Sequence, residues 1–288
     1  MTARAEPAPL RLPQLDRFAL LAAPGLAYLG LIYALPLALL LLDSLRDADG
    51  AFTLASYAAF FADPFNMSVL WRTLRIAALT TLLALLIAWP TAFALARAQG
   101  LAQTLILAAM VLPLSVGVIV KAFAWSILFR TQGPINQMLT GLGIVEQPLR
   151  LLFTETALII GAANVFLPFA VLPIYAVIRQ IDPALSAAAA SLGATPWFRF
   201  TRVVAPLTAP GVVAGGAFVF SLAVSMYVTP SLIVGERQQV LSMLIARSFL
   251  FLRDEQFGAT VSAILLMIAV AVVMGSSWLV ARMSGGRA

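Results

Sequence analysis

The chain has 288 residues, 62% of them hydrophobic and only 10% charged, with a mean hydropathy of +0.99; a soluble domain carries about 25% charged residues, so this is the composition of a polytopic, all-α integral membrane protein. It contains no Cys and no His, which excludes disulfides, thiolate or imidazole metal sites, Cys or His nucleophiles and a Ser-His-Asp triad. Its single lysine, Lys121, is followed by Ala122 and lacks a glycine frame, so ATP hydrolysis through a P-loop is excluded as well. The net charge of +6 comes from arginines scattered along the chain; these read as membrane-flanking residues in contact with a lipid bilayer, not as a nucleic-acid patch.

A spanning helix needs about 20 apolar residues, and six stretches qualify. Residues 1–17 are polar, with Pro and Arg, and read as a disordered N-terminal tail. The first span, 18–42, is uncharged and longer than the roughly 7–15 residues of a signal-peptide core, so it is expected to be retained. A polar connection, 43–69, precedes a core domain at 70–281 with five spans. The second span, 76–96, lies between Arg75 and Arg97 and ends in a tight turn, "RAQG". The third, 101–120, stops at Lys121, although "AFAWSILF" continues apolar beyond it. A long connection, 130–155, leads to the fourth span, 156–178. The fifth stretch, 203–235, is too long for one span, so part of it is expected outside the membrane. In "ERQQVLSMLIARSFLFLRDE" (236–255), Leu241, Leu244, Ile245 and Phe249 share one helical face, predicting an amphipathic helix at the interface or dipping into the protein. The sixth span, 256–281, ends at Arg282, with a short tail at 282–288.

Six spans place both termini on one side, but the 18 Lys and Arg divide evenly between the two sides. The positive-inside rule therefore gives no orientation. No internal repeat is visible, so an inverted-repeat transporter is not indicated. No Asp or Glu lies in the six apolar cores. A solute path through them would draw rings from Trp125, Tyr175 and Tyr227 and hydrogen bonds from Asn164, Ser221, Ser225 and Thr229; the competing reading of each is a packed or helix-bonded side chain. Lys121 would cost roughly 2.5–3.5 kcal/mol at a bilayer centre, so snorkelling to the outer interface is the cheaper reading. Facing the path, it would favour an anionic or zwitterionic solute. Pro113, Pro168, Pro173 and Pro230 mark expected kinks.

One connection has a different character. In "IRQIDPALSAAAASLGATPWFRF" (178–200), Asp182 and Pro183 form a cap-plus-proline helix start. Ala184 to Leu192 favour helix, and Gly193 supplies a left-handed stop. Thr195 and Pro196 repeat the start signal for a second short helix through Trp197, Phe198 and Phe200, with Pro206 and Pro210 at its end. An alanine-faced helix has little bulk and suits close docking; the alternative is small-residue packing within the membrane.

This run resembles the EAA motif of permease subunits in bacterial binding-protein-dependent ABC importers: Glu-Ala-Ala, three residues, Gly, nine residues, then Ile-x-Leu-Pro. Ala188 and Ala189 match the two alanines, Gly193 the glycine, Val203 the Ile place and Pro206 the proline, while Ala187 replaces the Glu and Ala205 the Leu. Over roughly residues 20–275 the chain is similar to the spermidine/putrescine branch, in "AWPTAFALAR" (88–97), "LPLSVGVIVKAFAW" (112–125), "GPINQMLTGLGI" (133–144), "FLPFAVLPIYAVIRQIDPAL" (166–185) and "VFSLAVSMYVTPSLIVG" (219–235). The resemblance implies a type I ABC importer permease fold in the bacterial inner membrane, with both termini cytoplasmic. It implies a coupling loop at 179–207 carrying Asp182, Ala187, Ala188, Ala189, Gly193, Ala194 and Pro206, seated on cytoplasmic ATPase subunits. It further implies a second, related but non-identical permease chain and a periplasmic substrate-binding protein, with no cofactor on this chain, because ATP and Mg belong to the ATPase. The implied cargo is a small polar organic solute, polyamine-like, or alternatively an opine or aminophosphonate. A secondary transporter or channel would need no ATPase and would leave the coupling loop without a task; a membrane enzyme lacks its catalytic groups.

Overall fold

The computed structural model describes residues 17–47 and 50–285. The tail expected at 1–17 lies outside that range but for Arg17, and of the tail expected at 282–288 only residues 286–288 lie outside it. No strand occurs among the described residues; a lone antiparallel bridge joins Arg46 and Phe52. Among the described residues, five helices or helix runs are long and apolar enough to cross a membrane, and a bent pair makes a sixth.

The first span consists of α1 (Arg17–Leu29), a π-turn at Gly30–Ala34, and α2 (Leu35–Ser44). The π-turn ends two residues before Pro36, which has no N–H and whose ring would collide with the carbonyl four residues back; a widened turn removes that collision. From Ala23 to Leu39 every residue is exposed. This helix stands beside the bundle and joins it near Ser44, whose hydroxyl lies 2.8 Å from that of Tyr57 in α3 (Ala55–Ala62).

Asp63 caps α4 (Pro64–Arg97) by accepting from the Phe65 amide at 2.8 Å. With 34 residues, α4 is about 50 Å long, well beyond the roughly 30 Å hydrocarbon core. It starts earlier than the apolar pattern indicated because Arg72 and Arg75 do not interrupt it: both pair with Glu155.

The third span differs from the expected single helix at 101–120. It is α5 (Gly100–Ser115) followed by α6 (Val118–Leu128), bent by 105° at Val116–Gly117. Pro113 removes one ladder donor, Val116 is extended, and Gly117 restarts the chain, so an unbroken apolar run conceals a corner. In the connection that follows, α7 (Pro134–Gly141) is tied down by buried Asn136. Its side-chain amide donates to the carbonyls of Arg130 and Leu149, and its oxygen accepts from the Leu149 amide at 2.8 Å.

The central helix is α8 (Glu155–Ile178), flanked by α4 and by α11 (Ala205–Ser225, described below). Lipid offers no hydrophobic drive between helices, so close packing has to supply the contact. Small residues allow it: Ala77, Ala84, Ala88 and Ala92 of α4 and Ala162, Ala163 and Ala170 of α8 are all buried. Gly211 and Gly215 of α11 press on α8 so tightly that a Cβ would lie 3.0 Å from the Ile174 Cα and 2.9 Å from the Ala170 carbonyl oxygen.

After α8 come α9 (Pro183–Ser191) and α10 (Pro196–Arg199). The second short helix does not end at Pro206 and Pro210 as the sequence suggested. A π-turn at Phe200–Val204 carries α10 directly into α11, ending two residues before Pro206 just as the first π-turn does before Pro36. The apolar stretch 203–235 breaks at Met226, and α12 (Val228–Ile233) and a 3-10 turn at Gly235–Gln238 follow.

The segment 236–255 dips into the protein as α13 (Leu241–Arg247) and a π-turn at Ser248–Leu252. Leu241 and Leu244 are buried with Phe60, Val69, Val261 and Ile264 in a second apolar cluster. Thr73 of α4 accepts from the Leu241 amide at 2.9 Å, and Arg72 donates to the Gln239 carbonyl at 3.2 Å. The last helix, α14 (Glu255–Gly285), runs past the expected stop at Ala281.

Candidate functional site

At the end of the bundle opposite Glu155, residues 179–207 form a projecting helix–turn–helix. Asp182 accepts from the Ala184 amide at 2.8 Å, with Pro183 as the first residue of α9. The helix stops in a Schellman arrangement: the Ala194 amide donates to the Ala189 carbonyl, the Gly193 amide to the Ala190 carbonyl, and Gly193 has φ +83°. Thr195 then caps α10 by accepting from the Phe198 amide at 3.3 Å. No residue of α9 is buried. Ala187 and Ala188 are exposed, Ala189 and Ala194 half-buried, Pro206 exposed, and Leu192 is 89% exposed. The alanine face is therefore not consumed by packing within this chain.

The loop is nonetheless fixed to the bundle. Phe200 stands 5.5 Å from Trp89 and 5.7 Å from Phe93 of α4, and 6.0 Å from Trp197 (ring centroids). Trp89 donates through Nε1 to the Thr208 hydroxyl at 3.1 Å. Aromatic pairs at these separations hold orientation as well as area, so Phe200 ties the loop to α4, and the Trp89–Thr208 hydrogen bond ties α4 to α11.

The eight residues named for a solute path do not gather in one cavity. Trp125 and Asn164 are brought together: the indole donates to Asn164 Oδ1 at 3.3 Å and stacks on Phe129 at 5.1 Å. Lys121 lies one turn before Trp125 in the first part of α6, half-buried; its amide donates to the Gly117 carbonyl at 3.2 Å, and its side chain forms no ion pair among the described residues. Tyr175 packs against the main core. Ser225 is exposed and bonds back to the Ser221 carbonyl at 2.8 Å, while the Ser221 hydroxyl is buried without a partner beside a groove shared by α11 and α14. Thr229, at 1% exposure, is enclosed by the fold and lines no open surface.

Tyr227 is 43% exposed and lines a cleft of about 430 Å3 with Glu236, Gln239, Met243 and Arg247. Glu236, Gln239 and Arg247 escaped the sequence reading because they sit outside the apolar cores; the helix break at Met226 brings the chain back beside Tyr227. Glu155 and its two arginines escaped it for a similar reason, since the partners come from α4 and α8.

A bundle of broken and continuous spans around a central helix, with an unpartnered helical loop at one end, is the architecture of an importer permease chain. The chain belongs to the binding-protein-dependent transport system inner membrane component family, whose model matches residues 81–282. It is 34% identical over 229 residues to the spermidine/putrescine transport system permease protein PotB of Escherichia coli (strain K12), covering 80% of this chain and 81% of that protein. Its fold resembles that of a chain from a bacterial ABC transporter involved in the import of the acidic polysaccharide alginate, with a TM-score of 0.74, 17% identity and coverage of 93% of this chain and 97% of that one. A second structure of a bacterial alginate transporter, in complex with an alginate pentasaccharide-bound periplasmic protein, gives a TM-score of 0.68 at 17% identity, covering 93% and 96%.

Proposed function

We propose that this permease subunit moves a polyamine inward across the bacterial inner membrane, powered by separate ATPase subunits and supplied by a periplasmic binding protein. The identity to a spermidine/putrescine permease over four fifths of the chain carries the choice of solute. In this reading residues 179–207 are the coupling loop: the exposed face of α9, with Ala187 and Ala188, seats on a cytoplasmic ATPase, and Gly193 fixes the angle between α9 and α10. Both termini then lie in the cytoplasm, and the Glu155 end faces the periplasm.

The mechanism follows from how the loop is attached. ATP binding and hydrolysis on the partner move the surface that holds α9. The Trp89–Phe93–Phe200 cluster and the unbroken run from α10 into α11 pass that movement to two helices flanking α8. A second permease chain, related but not identical, completes the path between the two subunits. Ala187, where the motif has Glu, gives α9 an uncharged contact with the ATPase at that point.

The test is uptake of radiolabelled putrescine and spermidine by proteoliposomes holding the co-purified complex. ATP-dependent accumulation of either, lost when the ATPase is omitted, is the expected result. Accumulation driven by an ion gradient without the ATPase would make the chain a secondary transporter instead.

A further inference from the structure

The proposed function leaves open where a cation would be held, because the apolar cores of the spans contain no carboxylate and Asp43, Glu155 and Glu255 lie at span ends. The cleft beside Tyr227 supplies one. Glu236 is exposed, and among the described residues it forms no ion pair. Tyr227, 43% exposed, lines the same cleft. Gln239 is only 7% exposed, and its Oε1 is buried without a hydrogen-bond partner, an arrangement that is unfavourable for a buried acceptor. Tyr227 stands between the C-terminal end of α11 and the N-terminal end of α12, so the two helix dipoles oppose each other there. Carboxylate, aromatic ring and spare amide oxygen favour positive charge. The opposing groups are Arg247 in the cleft and Arg150, which lines an adjoining pocket with Glu236.

The geometry is held from behind. Gly235 has φ +62° and Phe153, in contact range of it, φ +67°; the Phe153 amide donates to the Ile233 carbonyl at 3.0 Å. On the other side Arg72 and Thr73 of α4 fix the backbone at Gln239 and Leu241. Glu236 is thus presented by an anchored turn.

We propose that this cleft is an ammonium-binding site at the Glu155 end of the translocation route. A protonated amine of the solute sits between the Glu236 carboxylate and the Tyr227 ring, and the Gln239 side chain turns its amide oxygen toward it. Arg247 keeps the binding weak enough for onward release, since a transport site has to let go of what it takes in. The inference rests on the reading of the chain as a polyamine permease.

Equilibrium binding of tritiated spermidine to the detergent-solubilised transport complex, without the binding protein, tests it. The wild type should bind saturably. Glu236→Gln should raise Kd roughly tenfold to a hundredfold, the range for losing a charged hydrogen-bond partner. Tyr227→Leu should weaken binding and Tyr227→Phe keep it, which separates the ring from its hydroxyl. Arg247→Gln should tighten binding. Glu236→Asp, with thermal midpoints alongside, controls for folding. A wild-type complex that imports spermidine but binds it no more weakly as Glu236→Gln overturns this site alone. Weaker binding in Arg247→Gln with Glu236→Gln unaffected would likewise overturn the site, since neither the carboxylate nor the opposing charge would then act on the amine as stated. A wild type that imports no polyamine overturns the proposed solute and this site together.

Discussion

Gly193 shows how a single backbone angle organises the projecting loop. A Cβ there would meet nothing within 4 Å, so space is not the constraint; φ +83° is. A β-branched residue held in the left-handed region costs about 1–2 kcal/mol, whereas Asn tolerates it. Gly193→Val is therefore expected to reduce ATP-driven uptake severalfold, and Gly193→Asn to stay near wild type, with ATPase co-purification measured in parallel. The caps at Asp182 and Thr195 and this stop were legible in the sequence because each depends on neighbours within a few positions. Glu155 was not, because its meaning lies in Arg72 and Arg75 on another helix. Its side chain is 23% exposed, and Arg75 is more open, so the cluster is worth only about 1 kcal/mol. Glu155→Gln should lower the thermal midpoint of the solubilised protein by a few degrees.

At the scale of elements, the spacing between α8 and α11 is set by atoms that cannot yield. Gly215→Ala would place a Cβ 2.9 Å from a backbone carbonyl oxygen of α8, while Gly216→Ala meets the Leu85 Cδ1 at 3.2 Å, the end of a side chain that can rotate. The first is expected to destabilise by about 1–3 kcal/mol, the usual cost of overpacking, and the second to be nearly neutral; thermal melts of the two variants decide between them. Adjacent glycines in one helix thus have different weight, and only the packing partner distinguishes them. The same limit explains the corner at Val116–Gly117. Hydropathy reports that a residue prefers lipid or protein to water, and residues on both sides of the break do. Nothing in that preference records direction, so an apolar run of correct length read as one span. The dip of α13 was easier to read, because Leu241 and Leu244 recur at helical spacing within a charged segment.

For the whole molecule, the unresolved choice in the sequence was orientation, since the basic residues balance. The structure places the projecting α9 and the Glu155 ion-pair cluster at opposite ends of the long helices. α8 alone, at 24 residues, separates them by about 36 Å, more than the hydrocarbon core. The two ends must therefore lie on opposite sides of the membrane, and fixing one fixes both. The chain has no Cys, so it is its own background for single-cysteine labelling. Ser191 is exposed at the end of α9, and Gln132 is exposed in the connection beyond α6. With both termini in the cytoplasm, a membrane-impermeant maleimide added to osmotically opened but otherwise intact cells should label Gln132→Cys and leave Ser191→Cys untouched until the inner membrane is permeabilised. The reverse pattern would place α9 in the periplasm, out of reach of any cytoplasmic ATPase, and the coupling role of residues 179–207 would fall with it. Where the ATPase stays bound, Ser191→Cys should remain protected even in permeabilised membranes and become labelled once the ATPase is removed, which would locate the partner on α9 directly.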